Sequence, residues 1–432
     1  MSKWPEYSME TPGEKFVFLG ESIAARLTGF YVKNLGIMLD AGVRSDFMPV
    51  IIVITHMHLD HFSEIERYLL ATENSPTNQL TIICPVSSVP YLQARIEATY
   101  RATKGIPSDK PVPYPPYTII GATVGNSNCS VIVDLARAST DTIGFESTTF
   151  RYTSTDRIAA KATFKTKIKK IRPSRKLCAE SCCGNVPIEF DTSAMPDVAQ
   201  TTASSDVSEQ IQPAHTQPEQ IQPTQPTPET VFSTRLALMR KPCKIEAIRC
   251  NHGGIPTTGY GFSECRERIK DEYLKTDDSG KRVCIFSGEE MRQKKLNGTL
   301  ADLKEVVYIP MFAYICDTDH KVFESDGKNE GYKLEKYPVI IVECTFYNPA
   351  DKKKAKHDKH MHWDNLSMYI ASHPDKYFKL IHQSQRYNSR DLDDIQRMIA
   401  SRFPTQSGDT PHVVLCRNDN FASNTARRES KK

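Results

Sequence analysis

An apolar, β-branched segment at 49–55 (PVIIVIT) runs directly into His56, His58, Asp60 and His61. A short apolar run that stops this abruptly reads as a buried strand. Ligands at i and i+2 on an extended segment point to one side, and the loop beyond can present the next two to a second ion. Imidazole suits zinc, and a carboxylate either ligates or takes a proton. The bland alternative is a polar surface turn that holds three of the chain's 12 histidines. Four ligand-type residues within six positions after such a strand argue against it.

The surroundings read as an α/β domain. Strands are expected at 16–19, 36–39, 49–55 and 80–84, with helices at 62–71 and 89–100. After the middle of the chain, further strands are expected at 244–249, 281–286, 306–315, 337–343 and 378–382. An apolar content of 39% over 432 residues suffices for a real core. The 12 cysteines are scattered and the first residues carry no apolar signal region, which predicts a reduced intracellular setting, cytoplasmic or nuclear. No apolar run approaches bilayer length, so no membrane is expected as a partner. A net charge of +4 permits a nucleic-acid partner without requiring one.

Composition divides the chain into 1–150, 151–240, 241–405 and a basic polar tail, 406–432. The stretch 157–176 carries nine lysines and arginines, among them Lys167, Lys169, Lys170 and Arg172. Such a run fits sequence-independent phosphate contacts, and equally a solvated stretch or an import signal. Residues 191–230 contain no aromatic side chain, are rich in Pro, Gln, Thr and Ser, and repeat EQIQP at 209 and 219. That composition buries too little apolar surface to offset its ordering entropy, so 151–240 reads as a largely disordered insertion within one domain. Cys178, Cys182 and Cys183 lack a second matching pair and read as incidental thiols.

The run THMHLDH resembles the signature of the metallo-β-lactamase superfamily. That resemblance implies a four-layer αββα sandwich and, later in the chain, a His, an Asp and a His at strand ends. His252 after KIEAIRCN, Asp317 after YIPMFAYIC and His382 after YFKLI stand in that order. HQSQRY at 382–387, CNHGGIPTTGYGFSE at 250–264, RIKDEYLK at 268–275 and VECTFYNPADKKKAKHDKHMHWDNL at 342–366 are similar to elements of ribonuclease Z, in its short, plant-like form. Asp40, in MLDAG, matches the aspartate that supports the superfamily's metal loop.

Carried over, the resemblance implies two zinc ions per chain. His56, His58 and His252 would hold one, Asp60, His61 and His382 the other, and Asp317 would bridge them. A metal-activated hydroxide would attack the phosphorus of precursor tRNA or another structured RNA, releasing the 3′ trailer. Asp60 is the candidate general base. His360, held by Glu343, is the candidate proton donor, with His362 as its rival. Arg386, within HQSQRY, is a candidate RNA contact, and a homodimer is the family's frequent state.

Three departures stand out. The family's Gly-Asp-Thr is Cys316-Asp317-Thr318, a change expected to affect only packing; Val342 replaces a frequent His; and no Gly-Pro-rich, lysine-glycine segment lies between Glu264 and Asp317, so the tRNA-gripping arm is expected to be missing or reduced. Other superfamily hydrolases, and a non-catalytic RNA-binding or scaffold member, are the competing readings.

Overall fold

The structure is a computed structural model and describes residues 5–11, 14–72, 80–110, 117–124, 130–134, 139–143, 150–152, 242–326, 329–405 and 411–417. The expected disordered insertion over 151–240 begins two residues too early, since 151 and 152 pair with Thr118 and Tyr117 in a strand; the rest of it, with Lys167, Lys169, Lys170 and Arg172, lies outside the described residues.

In chain order the strands of the first half are β1 (Glu6–Thr11), β2 (Glu14–Ala24), β3 (Leu27–Val32), β4 (Ile37–Leu39), β5 (Ile51–Val53), β6 (Leu80–Pro85), β7 (Tyr117–Ala122), β8 (Ser130–Asp134), β9 (Ser139–Ile143) and β10 (Phe150–Tyr152). The second half contributes β11 (Cys243–Arg249), β12 (Thr258–Ile269), β13 (Leu274–Thr276), β14 (Arg282–Cys284), β15 (Lys304–Ile315), β16 (Val339–Glu343), β17 (Tyr377–Ile381), β18 (Gln383–Ser384) and β19 (Val413–Leu415). One sheet runs β1-β2-β3-β4-β5-β6-β7-β10, with β18 added beside β2; the other runs β19-β17-β16-β15-β12-β11-β8-β9. Strand β19 lies beyond residue 405, so the second sheet continues into the stretch that reads as a tail in the sequence.

Both sheets are apolar on both faces, which is why short runs such as IIVI lack hydrophobic–polar alternation. Ile51 and Val53 face the other sheet, whereas Ile52 and Ile54 pack outward under the helices Ile65–Thr72 and Val89–Lys104. The second sheet packs Ile340, Val342 and Leu380 outward against Trp363–Ala371 and Ser389–Arg402. The layering is therefore helix, sheet, sheet, helix: the αββα sandwich that the sequence implied. Between the sheets Phe312 meets Phe16, Phe18 and Phe262 at ring separations of 4.6–5.7 Å. Truncating a fully buried ring of this kind to alanine costs about 3–5 kcal/mol.

Strand direction gathers the site. Strands β4, β5 and β6 are mutually parallel, as are β15, β16 and β17. Strand β12 is antiparallel to both β11 and β15, so β11 and β15 point the same way. Residues that follow β11, β15 and β17 thus leave the second sheet at one edge, the edge where open parallel sheets place ligands. At that edge Thr258 N donates to Thr55 O (2.9 Å), Tyr260 OH donates to Ile54 O (2.8 Å), and β18 crosses to pair with β2.

Beyond Glu264, β12 and β15 leave the sheet as a two-stranded ribbon, from Cys265↔Tyr308 to Ile269↔Lys304. The ribbon carries the β13–β14 hairpin and the helix Gly288–Leu296, which a Ser287–Glu290 capping box starts. Among residues 265–310 only Leu303 is buried. An exposed projection therefore stands between Glu264 and Asp317. The Gly-Pro-rich, lysine-glycine segment is absent from it, as the sequence shows, and its fold rests on local pairing and capping. The strand expected over 281–286 is the short β14 within it.

A candidate metal centre

Asp317 organises the site. Its Oδ2 lies 3.5 Å from His56 Nε2 and 3.7 Å from His252 Nε2. Its Oδ1 lies 3.0 Å from His382 Nε2 and 3.4 Å from His61 Nε2. One carboxylate thus turns a different oxygen to each of two histidine sets. Ligands about 2.0–2.1 Å from a tetrahedral ion sit about 3.3 Å apart, so these separations are the edges of coordination polyhedra. Three donor groups share it: a first of His56, His58, His252 and Asp317, a second of His61, Cys316, Asp317 and His382, and a smaller one of Asp317, Glu343 and His360.

Four of the imidazoles are aimed by oxygen partners on Nδ1. His61 Nδ1 meets Asp40 Oδ2 at 2.9 Å, and His382 Nδ1 meets Ser22 Oγ and Thr28 Oγ1 at 3.1 Å each. His56 Nδ1 meets Thr55 Oγ1 at 3.1 Å, and His252 Nδ1 faces the Lys359 carbonyl at 3.4 Å. Such partners fix ring orientation and leave Nε2 for the site. Asp40 is itself held by Thr55 N (2.7 Å) and Tyr314 OH (2.8 Å). His56 Nε2 and His61 Nε2 are buried with no hydrogen-bond partner among the described residues. Two orphaned imidazole nitrogens, turned towards a shared carboxylate, are what a cation-binding centre requires and what a hydrophobic core does not tolerate. The donor set fits a divalent metal.

The electrostatics agree. Burial works against ionising Asp317, but His382, His61 and His56 outweigh it and hold the carboxyl well below its ordinary range. Burial pushes His56 well below 6.5, and neighbouring His61 adds to this. Burial would also depress His61, yet Asp317 and Asp40 raise it well above 6.5. Burial raises Asp60, but its contacts with His61 and His382 prevail and keep it an anion. Asp60 Oδ2 lies 3.5 Å from His61 Nε2 on the solvent side of the second group.

Glu343 and His360 adjoin this centre. Glu343 is fully buried at the end of β16 and accepts from Thr318 N and Thr345 Oγ1. His360 Nδ1 lies 3.0 Å from Glu343 Oε2, and its ring stands 4.8 Å from that of His252. Burial alone would lower His360; the Glu343 carboxylate outweighs burial and lifts it to about 9. His362 is different: Nε2 faces the Asn348 carbonyl at 3.0 Å, Nδ1 caps the helix Trp363–Ala371 through Asp364 N, and the side chain is buried. Both its nitrogens are engaged in structure.

An open cleft of about 1050 Å³ is lined by His58, Asp60, Asp317, His360 and His382, with Arg26, Lys354, His357 and Arg386 around them. Arg386 is half exposed, pairs with Asp351 at 3.1 Å and lies over the Phe346 ring. Sequence reasoning missed Ser22, Thr28, Tyr314 and Thr345, whose hydroxyls carry no motif. It also assigned Cys316 to packing, whereas its Sγ enters the second donor group and donates to Asp317 Oδ1 at 3.2 Å. Burial pushes that thiol well above its ordinary range, with Asp317 adding to the effect.

No family model and no curated protein matches the chain. Among solved structures it is similar to the short form of human tRNase Z, at 14% identity and a TM-score of 0.37, covering 86% of this chain and 92% of that one. It is similar to a long-form RNase Z from yeast at 11% identity and a TM-score of 0.37, covering 96% of this chain and 40% of that one. A third similar structure is the metallo-β-lactamase fold protein YhfI from Bacillus subtilis, at 9% identity, a TM-score of 0.37, and coverage of 92% and 94%.

Proposed function

We propose that this protein is a two-zinc phosphodiesterase that cuts the 3′ trailer from precursor tRNA. The observation that carries the reading is the split carboxylate of Asp317, facing His56 and His252 through one oxygen and His61 and His382 through the other. His56, His58, His252 and Asp317 would hold one ion; His61, His382, Asp317 and Asp60 would hold the other. Bound there, zinc would lower the pKa of water and neutralise charge on phosphoryl oxygens.

The chain's own residues supply the rest. Asp60, an anion at the cleft wall, orients the attacking water through a hydrogen bond; its carboxyl is too acidic to be more than a weak base. His360 lines the same cleft and keeps its proton at neutral pH because Glu343 stabilises the imidazolium. It hands that proton to the departing ribose 3′-oxygen, a poor leaving group otherwise. Arg386 and Arg26 at the rim suit backbone phosphates. The tRNA assignment draws on the resemblance of HQSQRY and of the Glu343 and His360 segment to ribonuclease Z, and the exposed ribbon over 265–310 offers an elongated RNA a second surface.

The test is incubation of the zinc-loaded protein with a 3′-extended precursor tRNA, beside His58→Ala. Cleavage at the 3′ end of the mature tRNA by the wild type, lost in the variant, is expected. Cleavage of a simple phosphodiester but not of precursor tRNA would point to another hydrolase of this fold. Tight RNA binding without turnover would point to a scaffold.

A further inference from the structure

Cys316 stands where the resembled family carries glycine, and glycine offers a metal nothing. Here the side chain ends inside the second donor group. Its Sγ lies within 4.8 Å of the donor atoms of His61, Asp317 and His382 and 3.2 Å from Asp317 Oδ1. A zinc–sulfur bond of about 2.3 Å beside a zinc–oxygen bond of about 2.0 Å gives a sulfur–oxygen edge of about 3.5 Å. The observed separation is close to that edge. His61 Nε2, fully buried and without a hydrogen-bond partner among the described residues, points into the same group and is an independent sign that something occupies it.

Direction separates Cys316 from the other candidate ligand of this ion. Asp60 lies on the cleft wall with 11% of its side chain exposed. Cys316 is fully buried among the apolar side chains between the sheets, one residue past the strand that carries Phe312 and Tyr314. The second ion would therefore meet a carboxylate from the solvent side and sulfur from the core side. Its site differs in kind from the first, whose donors are three imidazoles and one carboxylate oxygen.

We infer that Cys316 is a sulfur ligand of the ion held by His61, His382 and Asp317, so that this centre pairs an all-nitrogen-and-oxygen site with a thiolate site. The inference rests on the reading of the site as a two-ion centre. On loading, the Sγ–H bond breaks, its proton leaves to solvent, and the sulfur electron pair goes to the metal; no oxidant or reductant is needed. A thiolate favours soft ions, so the second site prefers zinc or cadmium over magnesium or manganese.

Cobalt titration of the chelator-stripped protein tests this without reference to turnover. Binding of two cobalt ions with a sulfur-to-cobalt charge-transfer band in the near ultraviolet is expected. That band disappears in Cys316→Ala and persists in Cys250→Ala and Cys344→Ala, the other thiols near the site. Zinc affinity of the second site falls by at least about tenfold in Cys316→Ala. If that variant loses its circular dichroism, Cys316→Ser, nearly equal in volume, replaces it. Two bound cobalt ions without the band, or a band unchanged in the Cys316 variants, overturns the thiolate assignment and leaves the two-ion centre intact. Failure to bind cobalt at all overturns the centre, and the assignment with it.

Discussion

Replacing Glu343 with glutamine removes one charge from a fully buried position and leaves the shape almost unchanged. In the native protein that charge faces His360 Nδ1 at 3.0 Å and lifts the imidazole from 6.5 to about 9 against the opposing effect of burial. At 1.36 kcal/mol per pKa unit the lift corresponds to about 3 kcal/mol favouring imidazolium in the folded state. The sign follows from linkage. A group whose folded pKa is raised contributes its full stability below its unfolded value, near 6.5, and loses it as pH climbs through about 9. In Glu343→Gln that lift is lost, and His360 titrates lower. The stability gap between the two proteins is therefore expected to be about 3 kcal/mol at pH 6 and to narrow steadily towards pH 9.5. Urea unfolding across that range measures it, on chelated protein, because a dication beside His252 would itself repel the imidazolium. A gap that stays constant with pH would refute the charged pair. With metals restored, wild-type kcat should fall as pH rises through the His360 transition, and the same fall should come at much lower pH in the variant.

Metal binding should weaken as pH falls, because His61, raised above 6.5 by Asp317 and Asp40, must lose its proton to ligate; calorimetry in buffers of different ionisation enthalpy would show proton release on loading. Thr28→Val deletes one of two hydroxyls on His382 Nδ1 and should weaken metal binding by about tenfold, read from competition with a chromophoric chelator. Gly42→Ala would place a Cβ 1.7 Å from the Asp60 carbonyl oxygen, so it should cost at least about 1–3 kcal/mol in denaturant unfolding and displace the metal loop. Tyr314→Phe removes the buried donor to Asp40 Oδ2 and should cost about 1.5–3 kcal/mol, with little change in circular dichroism.

Much of the centre was legible because its donor side chains follow apolar strands, and strand ends are what a sequence displays best. THMHLDH after β5, Asp317 after β15 and His382 after β17 are of this kind. The hydroxyls of Ser22, Thr28 and Thr345 were not legible, because Ser and Thr are common everywhere and only tertiary contact singles these out. The rivalry between His360 and His362 could not be decided from spacing. It turns on which ring faces a buried carboxylate and which one caps a helix, and the two differ by a single step of strand-like alternation. The projecting ribbon was missed for another reason. An exposed β-ribbon mixes acidic and basic residues on both faces, as its Lys304–Glu267 and Arg268–Glu305 pairs show, so it leaves no hydrophobic period to read.

The backbone at the centre explains why so many separate segments must agree. Asp40, Asp317 and His382 have φ of 56°, 47° and 62°, the left-handed region that non-glycine residues avoid. Each follows a sheet strand: Asp40 after β4, Asp317 after β15 and His382 after β17. Holding three such residues costs about 1–3 kcal/mol apiece, and local sequence has no means of offsetting that. The two sheets supply it jointly: Tyr314 reaches from the second sheet to Asp40 in the first, and His382 leaves the second sheet just before β18 joins the first. A bound cation would stabilise the same three conformations again, through Asp317 and His382 directly and through Asp40 by way of His61. Metal loading should therefore protect amides at 40–42, 316–318 and 382–384 from hydrogen exchange together, as one cooperative unit, although they are distant in sequence. Protection confined to the loop at 55–61 would mean that the strained strand ends are set by the sandwich alone.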